Sequence, residues 1–129
     1  VRQFLWRWGP AILWTAVLFA ASSRSSLPVD LHSGTDKLAH FGAYSILGCL
    51  LARGSVRSRI SLPLVVLIGI LIGGLDELYQ STIPNRVADV GDWIADSLGV
   101  VAGVVLHQLW WRRGGRRAAP EPRPATADS

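Results

Sequence analysis

Five of the nine acidic residues in this chain, Asp76, Glu77, Asp89, Asp92 and Asp96, fall within one stretch that joins two strongly apolar segments, and a sixth, Asp36, opens a similar boundary earlier. Carboxylates at the ends of apolar segments are costly unless something holds them. Asp36, His40 and Tyr44 recur at four-residue spacing and so share one helical face; Asp76 and Gln80 share another, with Glu77 one step round. Asp89, Asp92 and Asp96 form a third stripe, continued by Gly99 and Gly103. Such a set could exchange protons through His40 or Glu77, hold an anionic group on Arg86, and use Asp76, Asp89 or Asp92 to orient the base or hold a divalent cation.

Each stripe also has a plainer reading. Asp36, Asp89 and Asp92 lie near expected helix N-termini, where a carboxylate caps free amides and meets the favourable end of the dipole. Asp76 and Glu77 have no such explanation, because they end a helix where the dipole disfavours anions. They call for a cation, and Arg86, Lys37 and protonated His40 are the candidates. Glu77 and Arg86, separated by a turn set by Pro84, are expected to pair.

The elements that must position these residues follow from charge segregation. Residues 8–23 and 60–75 carry no charge, and half of the chain is hydrophobic with only 17% charged residues. That is the pattern of membrane spans and loops. The expected fold is all-α, a polytopic four-helix transmembrane bundle with short loops over residues 1–111, followed by a disordered basic, Pro- and Ala-rich tail over 112–129. The spans are expected at Trp8–Ser23, Asp36–Ala52, Ile60–Leu75 and Trp93–Trp111. Trp6, Trp8 and Trp14 are available for the membrane interface. The basic start and Ala20-Ala21-Ser22 would also suit a cleavable signal peptide, which would leave three spans. Gly99 and Gly103 make a G-x-x-x-G step, better suited to packing within the chain than to dimerisation.

With the N-terminus cytoplasmic, Arg2, Arg7, Arg53, Arg57, Arg59, Arg112, Arg113, Arg116, Arg117 and Arg123 fall inside, and only Arg24, Lys37 and Arg86 outside. Both termini are therefore expected in the cytoplasm of a bacterium and the acids at the outer pole of its inner membrane. The sequence pI near 10.2 then reflects topology rather than nucleic-acid binding, for which there is no basic-aromatic groove pattern. The one cysteine, Cys49, lies in an apolar segment and is read as packing.

Asp36-Lys37-x-x-His40-Phe41-x-x-Tyr44, Asp76-Glu77-x-x-Gln80, Pro84-x-Arg86, Asp89, Asp92 and Leu98-Gly99 together resemble the signature of the VanZ-like family of small bacterial membrane proteins, across residues 36 to 106. The resemblance implies a four-span envelope protein associated with teicoplanin-type glycopeptide resistance. Asp96 is a departure, since the family pattern more usually has asparagine there. The expected partners are the lipid bilayer and a cell-wall precursor lipid or glycopeptide, with no cofactor and no metal. An enzyme acting on a lipid-linked or cell-wall precursor headgroup is the alternative, although H-E-x-x-H, G-x-S-x-G and a phosphate-cradling glycine loop are all missing from the sequence. A proton or cation path ranks last, because the polar stripes stop about a third of the way across.

Overall fold

The computed structural model describes residues 1–24, 33–56, 58–84 and 86–117. Within them the chain forms four helices: α1 (Arg2–Ser22), α2 (Ser33–Ser55), α3 (Leu62–Gln80) and α4 (Val90–Arg117). Among the described residues there is no strand. Pro63 sits at the start of α3, where its missing amide costs nothing, and Ser61 precedes the helix in extended conformation. Asp89 stops the chain before α4 and caps it: its carboxylate accepts the Gly91 amide at 2.7 Å and its carbonyl accepts from Asp92 and Trp93.

α1, α3 and the Val90–Arg113 part of α4 are long and apolar enough to cross a membrane. Their outward faces carry the apolar load. Leu64, Leu67, Leu71, Leu75 and Leu78 form an exposed leucine stripe along α3, a surface suited to lipid rather than water. α2 is more polar, and it lies inside the bundle: Tyr44, Leu47, Leu51 and Ala52 are all buried.

Glycines set the closeness of α2 and α4. A Cβ on Gly99 would run into the carbonyl of Phe41, one on Gly103 into that of Ser45, and one on Gly48 into that of Val100. The two helices therefore run parallel in backbone contact, and Cys49 Sγ donates to the Gly103 carbonyl at 3.0 Å. The G-x-x-x-G step is spent on packing within the chain. α3 runs antiparallel to α4, with Gly69 against Val100 and Gly73 against Asp96. α1 returns along α2, where Trp8 lies over Gly54 and Trp14 Nε1 donates to the Ala43 carbonyl at 2.9 Å. Trp14 is thus an internal helix clamp rather than an interface anchor.

Several boundaries differ from expectation: α1 begins at Arg2 rather than Trp8, and α3 continues past Leu75 to Gln80. α2 begins at Ser33, a turn before its first charged residue, and α4 continues past Trp111 to Arg117. Arg112 and Arg113 are good helix formers and extend α4 without a break. Residues 25–32, Arg57 and most of the expected tail (118–129) lie outside the described residues.

Candidate functional site at the polar pole

The end of α1, the start of α2, the end of α3 and the start of α4 meet at one pole, and the sequence stripes meet with them. Asp76 lies at the centre, 2% exposed. Its Oδ2 accepts from Ser22 Oγ of α1 at 2.9 Å, from Tyr44 Oη of α2 at 3.2 Å and from Gln80 Nε2 of its own helix at 3.4 Å. Gln80 also donates to Ser22 Oγ at 3.4 Å. A carboxylate held by several donors offsets part of its desolvation. Ser22 is the member that the sequence reading missed; a small serine after two alanines reads as a helix end or a cleavage site.

One turn before Tyr44, His40 Nδ1 meets Asp96 Oδ1 at 2.9 Å. Asp96 is fully buried, against Gly73 and beside the Tyr44 ring. Gly73 is small for this reason, since a Cβ there would lie 3.1 Å from that of Asp96.

Glu77, also buried, accepts the backbone amide of Asp89 on Oε2 at 3.0 Å. The expected Glu77–Arg86 ion pair does not form. Arg86 instead donates to the Arg24 carbonyl at 3.3 Å, and Glu77 is satisfied by the free amide at the start of α4, closer to hand than a guanidinium across the turn.

At the rim, Lys37 Nζ bridges Asp89 and Asp92, at 2.8 Å to each. The Lys37 hydrogen bond, and after it the Gly91 amide, hold the Asp89 carboxyl below the usual aspartate range. Asp36 occupies the first turn of α2, with His40 and Asp92 within reach. Of the eleven polar residues singled out from the sequence, nine take part in these bonds; Asp36 lies beside them, near His40 and Asp92, and Arg86 turns away to the Arg24 carbonyl. Asp76, Glu77, Asp92 and Asp96 are buried, whereas Asp89 stands exposed at the rim; a broad cleft opens elsewhere, near the start of α1, lined by Trp6, Arg53, His107 and Trp111.

Three oxygens in the set have no hydrogen-bond partner among the described residues: Asp76 Oδ1, Glu77 Oε1 and Asp96 Oδ2. Buried polar atoms are nearly always paired, so three at one pole call for an account.

An all-helical bundle with apolar outer faces and a buried polar end defines a polytopic helical membrane protein. The chain belongs to the VanZ/LLP1 family, whose model matches residues 6–111. No curated protein and no solved structure matches it.

Proposed function

We propose that this protein works in the bacterial cell envelope as a multi-pass protein of the inner membrane, with both termini cytoplasmic, and that its polar pole engages a cell-wall precursor lipid or a glycopeptide so as to lower the action of teicoplanin-type antibiotics or to maintain the envelope. The observation that carries the reading is the assembly of one polar network from all four helices of a VanZ/LLP1-family bundle. Its exposed rim, Lys37 and Asp89, is where a headgroup would touch first.

The test is expression in a susceptible Gram-positive host. Tolerance should rise for teicoplanin-like lipoglycopeptides and not for unrelated cytoplasmic drugs, and His40→Ala should abolish the gain at equal protein level. Equal tolerance to both drug classes would replace this reading with a general permeability effect.

A second reading, an enzyme acting on a lipid-linked headgroup, draws support from the His40–Asp96 contact with Glu77 close by. A histidine oriented by a buried acid is a workable general base. Turnover of a lipid-linked precursor by purified protein, lost in His40→Gln, would favour it over binding alone.

A further inference from the structure

We infer that His40, Glu77 and Asp96 form a divalent-cation site of the manganese or zinc class, built between α2, α3 and α4. The inference does not rest on the resistance reading. One ligand atom from each of the three residues lies within 4.8 Å of the other two, so a small closing of side chains would bring them to coordination distances of about 2.0–2.2 Å. Glu77 is 6% exposed and Asp96 0%. Each keeps one oxygen, Oε1 and Oδ2, without a hydrogen-bond partner among the described residues.

Charge points the same way. Asp76, Glu77 and Asp96 are three buried acids, and His40 supplies at most one positive charge. Lys37 is spent on Asp89 and Asp92 at the rim, and Arg86 turns to a backbone carbonyl. A dication with neutral His40 would balance Glu77 and Asp96 completely, which no described side chain at this pole does.

Ligand type narrows the metal. Calcium takes six to eight oxygens and magnesium prefers oxygen ligands and retained water, whereas one imidazole with two carboxylates suits manganese or zinc. A second grouping, Asp36, His40 and Asp92, shares the histidine. There the Lys37 ammonium sits 2.8 Å from Asp92 and opposes a cation, so the inner set is the site.

The experiment uses the full chain in detergent micelles, stripped with a chelator and titrated with MnCl2 while electron paramagnetic resonance reads free and bound Mn2+. The expected result is one saturable Mn2+ per chain, with a nitrogen coupling in the echo-modulation spectrum from direct imidazole ligation, and displacement by Zn2+. Glu77→Gln and Asp96→Asn should weaken binding by about tenfold or more, and His40→Gln should remove the nitrogen coupling, while Asp36→Asn leaves both unchanged. Circular dichroism and elution profile establish that each variant is folded; if one is not, the wild-type stoichiometry and nitrogen coupling decide alone. Two protonated carboxyls would occupy the same space without metal. No saturable binding, no nitrogen coupling, or loss of binding in Asp36→Asn would each overturn the inference.

Discussion

Ser22, the last residue of α1, donates its hydroxyl to Asp76 Oδ2 at 2.9 Å, across to the penultimate turn of α3. This bond, with Gln80 bonded to both residues, ties α1 into the polar pole. A hydrogen bond to a charged group is worth about 1.5–3 kcal/mol. Ser22→Ala should therefore lower unfolding stability in micelles by about that amount, and Ser22→Ala with Asp76→Asn should cost less than the two changes summed. Additive losses would mean that Ser22 acts only through helix packing.

The glycines of the α2–α4 contact should differ sharply from Gly42, whose added Cβ would meet nothing within 4 Å. Gly103→Ala and Gly99→Ala push a methyl into a backbone carbonyl, and overpacking of this kind costs about 1–3 kcal/mol. Gly42→Ala should be neutral or stabilising by up to about 1 kcal/mol. Thermal unfolding of the three purified variants checks the order; equal behaviour would refute the close backbone contact.

Glu77 and Arg86 should behave independently. With Glu77 on the Asp89 amide and Arg86 on the Arg24 carbonyl, a double-mutant cycle with Glu77→Gln and Arg86→Gln should close to within about 0.5 kcal/mol. A larger coupling would show that the two side chains meet after all.

Asp89 sets a pH dependence at the rim. Its folded pKa is depressed, first by Lys37 and then by the Gly91 amide. The stabilisation it brings is therefore present above the ordinary aspartate value and lost as pH falls through the depressed one. Lys37→Gln should move the Asp89 titration upward, read from its carboxyl carbon shift by NMR. An unmoved midpoint would assign the lowering to the helix cap alone.

Topology is testable from the loops. In a Cys49→Ala background, Val87→Cys should react with an impermeant thiol reagent on intact cells and Val56→Cys only after permeabilisation. The reverse pattern would place the polar pole in the cytoplasm.

Much of this was legible in the chain itself. Charge-free runs bounded by arginine and aspartate located the helices, because lipid tolerates few other patterns, and four-residue spacing placed His40 and Tyr44 on one face. The Glu77 partner was not legible. It is the Asp89 backbone amide, and no residue type announces a free amide; only the position of the α4 start does. Ser22 escaped for a related reason, since a lone serine carries no periodicity. The role of Trp14 depended on helix rotation, which interface preference does not encode.

The contact of α2 and α4 through Gly48, Gly99 and Gly103 has a mechanical side. With almost no side-chain layer between them, these two helices lack the cushion that lets neighbours slide or roll. They form a stiff spine carrying Lys37, His40, Asp92 and Asp96 in fixed register. Asp76 and Glu77 arrive on α3, which is bonded to that spine through Tyr44, the Asp89 amide and the Trp93 indole on the Ile70 carbonyl, while α1 is held by Trp14 on the Ala43 carbonyl and by Ser22 on Asp76. Any widening of the polar end must then come from α1 and α3 swinging away from the spine, and those bonds together are the latch.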